Sequence, residues 1–173
     1  AFVEGRPPFT HTIAYAIRGF IECGVLLGDE RYLNAAEKAA LAVAGAQRAD
    51  GWLAGTFDEQ WQPGAGYCCL TGLAQMALDW TRLAQERRRP ELRDNARRGI
   101  ACLKRHHRVH DSDAIVRGAM AGSAPIWGRY SMFEFPNWAA KFFADALLMD
   151  IVDAPIPPVV RRTEAKSRTA AHV

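Results

Sequence analysis

Apolar residues recur at three-to-four-residue spacing in five stretches of the chain, which is the period of an α-helix with one buried face. In 10–27 the stripe is Ile13, Ile17, Phe20 and Gly24, and in 30–47 it is Leu33, Ala36, Ala40 and Val43. In 68–85 it is Leu70, Leu73, Ala77, Trp80 and Ala84. Leu92, Ala96, Ile100 and Leu103 mark 90–107, and Ala139, Phe143, Ala146 and Leu147 mark 136–151. Nothing reads as a sheet. End signals agree with these bounds: Thr10 and Asp29 are N-cap residue types, Gly28 a C-terminal stop, and Pro90 a first-turn residue. The fold class predicted is all-α.

The connections are of two kinds. Those at 27–29 and 87–90 are short, so each joins the two halves of an αα-hairpin. Those at 48–67 and 108–135 are long and rich in Gly, Trp, Tyr and Phe, the kind of loop that carries function on a rigid scaffold. At an offset of 60, Ile13, Ile17 and Phe20 fall on Leu73, Ala77 and Trp80, and Ala36, Ala40 and Val43 fall on Ala96, Ile100 and Leu103. Gly55-Thr56-Phe57 is echoed by Gly128-Arg129-Tyr130 in the second long loop. The unit is helix, short turn, helix, long loop, and its repetition predicts stacked hairpins with the long loops at one end. That geometry converges His11, Tyr67, Cys68, Asn137 and Trp138. Residues 1–153 form the helical domain, and the Pro-rich 154–173 are expected to be a mobile tail.

Composition adds limits. The 173 residues suit one domain, and 49% apolar with 24% charged is ordinary globular usage. No run reaches the roughly 18 apolar residues of a membrane span. The net charge is +3, and in 152–173 four cations stand against two acids, so the body is nearly neutral and offers no broad basic face for nucleic acid. Cys23, Cys68, Cys69 and Cys102 show no CxxC spacing, so free thiols in a reducing, cytoplasmic setting are expected. The first residues lack a basic then apolar leader, so no signal peptide is expected. Opening without Met, the chain is expected to be the C-terminal piece of something longer.

Gln47-Arg48-Ala49-Asp50-Gly51-Trp52 resembles the glutamine-tryptophan repeat of squalene and hopene cyclases. Those enzymes share the α/α-toroid architecture with protein prenyltransferases and six-hairpin glycosidases. Three further stretches resemble bacterial toroid proteins found near polysaccharide biosynthesis genes: Thr10-His11-Thr12-Ile13-Ala14-Tyr15, Cys69-Leu70-Thr71-Gly72-Leu73-Ala74-Gln75, and Pro136-Asn137-Trp138-Ala139-Ala140-Lys141-Phe142-Phe143. The resemblance covers about residues 10–151 and implies a toroid without an established reaction. The Asp-x-Asp-Asp acid motif of the squalene-protonating cyclases is missing. The chain is about half as long as a six-hairpin ring, so a missing N-terminal half or a second copy would complete it.

The candidate chemistry follows from the loops. Asp58, Glu59 and Glu134 are carboxylates beside aromatics, as glycoside chemistry requires in pairs. His11, at the first turn of the first helix, is a candidate acid or base. Trp52, Trp61, Tyr67, Trp127, Tyr130 and Trp138 are rings that can stack on sugars or, alternatively, enclose a polyprenyl chain. Asn137 is a candidate binding residue, and Arg117, Arg129 and Lys141 can meet uronate or phosphate groups. Each has a plainer role open to it: loop solvation, helix-dipole pairing, packing or surface ion pairs. Cys68 and Cys69 with His11 lack the spacing of a zinc site, so no metal and no cofactor are expected. The function expected is binding or modification of a bacterial polysaccharide; the alternatives are an isoprenoid-handling protein or a non-catalytic interaction module. Whether the chain is an enzyme is left open.

Overall fold

The structure is a computed structural model, and it describes residues 5–152. Its helices are α1 (Thr10–Leu27), α2 (Glu30–Gly45), α3 (Leu70–Arg87), α4 (Pro90–His106) and α5 (Asn137–Val152). Two short strands, β1 (Cys68–Cys69) and β2 (Ser123–Ala124), pair antiparallel, with Cys68 opposite Ala124 and Cys69 opposite Ser123. The all-α class holds in its coarse form. The small ladder is new, and it moves the start of the third helix from the expected residue 68 to Leu70. Two residues are too few to show an alternating pattern, so only the partner segment reveals them as a strand.

Helix ends follow their chemistry, with one exception. Gly28 closes α1 in the left-handed conformation at φ 65°, and the Asp29 carboxylate accepts the Arg31 N–H at the start of α2. Pro90 opens α4. Thr10, however, is not a cap. Phe9 occupies that position, while the Thr10 hydroxyl and N–H both point away from the helix, donating to the carbonyls of Ala54 and Gly55. The beginning of α1 is thus fastened to the first long loop.

At the centre of the packing lies α3. It touches α1, α4 and α5, while α2 packs chiefly on α1. Every residue from Leu70 to Leu83 is buried. The stripes of α2 and α4 are buried as their spacing predicts. On α1, Ile13, Ile17 and Gly24 are buried, but Phe20 is 43% exposed and stacks on Tyr32. A helix buried on all sides must also pair its polar groups. On α3 these are Gln75, which meets His11, Asp79, which meets Arg18, and Arg82, which is bonded to Glu86. Trp80 Nε1 donates to Ala40 O, tying α3 to α2.

The Gln47-to-Trp52 motif has a local role. Gln47 Nε2 donates to Asn95 O at 3.1 Å and to Gly51 O at 3.3 Å, and Asn95 Nδ2 returns bonds to Ala44 O and Gln47 Oε1. Gly51 sits at φ 83°, and a Cβ there would lie 2.0 Å from Arg98 O. The motif binds the end of α2 to α4.

Candidate functional site

Both long connections end against the start of α1 and α3. Gly55 N–H donates to Tyr67 O, Phe9 bridges to Thr56, and Leu70 N–H donates to Gly122 O, so the loops and helix starts form one continuous hydrogen-bonded surface. In that surface lies a cleft of about 780 Å3. Arg6, Phe9 and Thr12 form one wall, Thr56 and Tyr67 come from the first loop, and Trp127 and Arg129 from the second.

Tyr67 is fixed by what its neighbours lack. A Cβ on Gly55 would stand 2.4 Å from Tyr67 Cε2, and one on Gly128 would stand 2.8 Å from Tyr67 Cδ2. Both glycines therefore stand close against the Cδ2–Cε2 edge of the ring, where a side chain at either would displace it. Burial raises its phenol above the ordinary value, which keeps it a neutral hydrogen-bonding group. The segments that echo each other in sequence meet here. In each, the glycine packs on Tyr67, the next residue (Thr56 or Arg129) lines the cleft, and the aromatic (Phe57 or Tyr130) is buried. Trp127 is the contrasting element: its side chain is in the cleft wall with the residue 64% exposed.

A second group of side chains adjoins the cleft through Phe9, whose ring is edge-on to Tyr130 at 5.4 Å. Tyr130 lies 5.0 Å from the His11 ring, and its hydroxyl accepts the Trp138 Nε1–H at 2.9 Å. Burial raises the Tyr130 phenol, with the Trp138 bond acting against it. Tyr15 is edge-on to His11 at 4.8 Å. His11 Nδ1 donates to Gln75 Oε1 at 2.7 Å, so in the neutral ring the lone pair is on Nε2. Burial lowers the His11 pKa below 6.5, partly offset by the Gln75 bond. At neutral pH this ring is an oriented proton acceptor, which is the state a general base requires.

The other expected site residues are placed elsewhere. Asp58 uses its carboxylate to accept the N–H groups of Gln60 and Gln62, closing its own turn. Glu59 and Glu134 are exposed, and none of the three carboxylates lines the cleft. Trp52 and Trp61 pack against the core, and Arg48 lies over the Trp52 ring. Arg117 donates to the carbonyls of Asp111 and Ser112, Lys141 pairs with Asp145 at 2.6 Å, and Asn137 is exposed at the first turn of α5. Cys68 and Cys69 are buried. The Cys69 thiol accepts the Gly72 N–H at the start of α3 and is pushed up to about 12 by burial. Among the described residues no three His, Cys, Asp or Glu side chains gather closely enough to hold a metal ion. None of the helices in this part of the chain is long and apolar enough to cross a membrane.

Sequence reasoning did not single out Arg6, Phe9, Thr12 or Thr56. The signal for Thr56 was present in the loop echo, and the Pro7-Pro8 pair predicts an extended lead-in that can lie along a cleft. Among protein families, curated proteins and solved structures, none matches this chain.

Proposed function

We propose that this chain is a saccharide-binding α/α-toroid-type module whose cleft takes an oligosaccharide or a segment of a polysaccharide. The carrying observation is the pairing of a fixed ring, Tyr67, with an exposed ring, Trp127, in one cleft. Sugar rings present flat C–H faces that stack on aromatics and hydroxyls that need donors and acceptors; Thr12, Thr56 and the surrounding glycine backbone supply the latter. The contact order supports the toroid reading: hairpins α1–α2 and α3–α4, with α3 between α1 and α5, is what an arc of stacked hairpins requires. An isoprenoid chain is a poorer fit, because two arginines and two threonines stand in the cleft walls.

Titration calorimetry against a panel of oligosaccharides and prenyl diphosphates tests this. Trp127→Ala removes a mostly exposed ring, so folding should be unaffected while saccharide affinity falls about tenfold or more. Binding of prenyl diphosphates alone, or saccharide binding indifferent to Trp127→Ala, would overturn the reading.

A further inference from the structure

We propose, resting on the saccharide reading above, that the ligand carries an anionic group (carboxylate, sulfate or phosphate) and that Arg6 and Arg129 form the subsite that receives it. Three observations converge. First, both arginines line the same cleft, from opposite parts of the chain: Arg6 from the lead-in to α1 and Arg129 from the second long loop. Second, among the described residues no carboxylate lines that cleft, so the charge its described walls contribute is positive. Third, neither arginine has an ion pair or side-chain hydrogen bond among the described residues. Most arginines here are employed otherwise. Arg18 and Arg82 serve the α1–α3 seam through Asp79 and Glu22, Arg87 and Arg89 bond Glu30 and Glu37, and Arg108 holds Asp111.

A guanidinium without an ion pair among the described residues, beside rings that stack, is the donor set that recognises an acidic sugar. The stacking faces fix the sugar plane, and the guanidinium groups select the substituent. A neutral glycan would leave these charges unmatched and gain only the stacking. Such a cleft is also steered by charge, so its association weakens as salt rises.

The test uses the whole chain and three oligosaccharide sets of equal length: neutral, uronate-containing, and sulfated or phosphorylated. Inorganic phosphate serves as the anion without a sugar. One or both acidic sets should bind at least about tenfold more tightly than the neutral set, and whichever does identifies the substituent. Arg129→Ala and Arg6→Ala should each erase most of that preference while leaving weak neutral binding intact, with Arg129→Lys intermediate. Thermal midpoints should not move, because neither side chain pairs within the described fold. Neutral and acidic sets binding equally, or a preference that survives both alanine variants, would overturn the anionic subsite while leaving the saccharide reading in place. Phosphate binding with no saccharide binding would overturn both.

Discussion

Asp79 is a carboxylate inside a helical core. It is 1% exposed, with Arg18 Nε at 3.2 Å from one oxygen and, among the described residues, no hydrogen-bond partner for the other. Burial pushes its carboxyl well above 3.8, Arg18 draws it back, and Glu22 adds to the rise. The folded state therefore holds this proton more tightly than the unfolded state. In the window above 3.8, up to the folded value, stability falls as pH rises. Asp79→Asn lacks this dependence, so in urea titrations the wild-type chain should lose ground to it between mildly acidic and neutral pH. Arg18→Met should cost on the order of 3 kcal/mol at neutral pH, because it strands a buried carboxylate, and part of that should return on acidification. A pH-independent gap between wild type and Asp79→Asn would show that the carboxyl titrates normally. His11 has the opposite sign: its pKa lies below 6.5 in the folded chain, so its contribution is whole above 6.5 and is lost as pH falls through the folded value.

At the scale of elements, the crossing of α1 and α3 depends on Gly72. A Cβ there would lie 2.6 Å from His11 N and 2.9 Å from Thr10 C, which are backbone atoms that cannot swing aside. Gly72→Ala improves helix propensity by about 1 kcal/mol, yet the clash should outweigh it, for a net destabilisation of about 1–2 kcal/mol by chemical denaturation. A stabilised Gly72→Ala would mean that the helix starts stand further apart. This glycine also shows where sequence reading reaches and where it stops. The stripes of α2 and α4 were legible because both helices have one dry face and one wet face. Phe20 misled because it satisfies the spacing yet stands 43% exposed, stacked on Tyr32 of the paired helix rather than in the core. For α3, periodicity finds a helix but cannot find the side facing each partner, since Gln75, Asp79 and Arg82 are as buried as Leu73. Gln75 and Asp79 meet His11 and Arg18 of α1, which no local pattern connects to them; for Arg82 the spacing offers Glu86 at i+4 but not Glu22 of α1.

For the molecule as a whole, the position of the long loops was legible, because helix order alone puts the ends of 48–67 and 108–135 at the same end as the start of α1. The choice of side chains in the cleft was not. Carboxylates were the natural candidates, yet Asp58 closes its own turn, whereas Arg6 enters from a segment with no periodicity. The packing also ranks the parts by stability. Opening α1, α4 or α5 uncovers α3, and with it apolar side chains and the ionic pairs they shield, so α3 should open only when the whole unit does. Residues 111–118 are mostly exposed and are held largely by local bonds, such as those from Asp113 N and Ile115 N to the preceding Asp carboxylates. Hydrogen exchange should therefore find the α3 amides most protected and those of 111–118 among the least. Leu73→Ala should lower protection throughout α3 by a common increment of about 2–5 kcal/mol, the loss for a buried leucine, and leave 111–118 unchanged. Faster exchange in α3 than in α2 would mean that the hairpins open independently, each holding its own core.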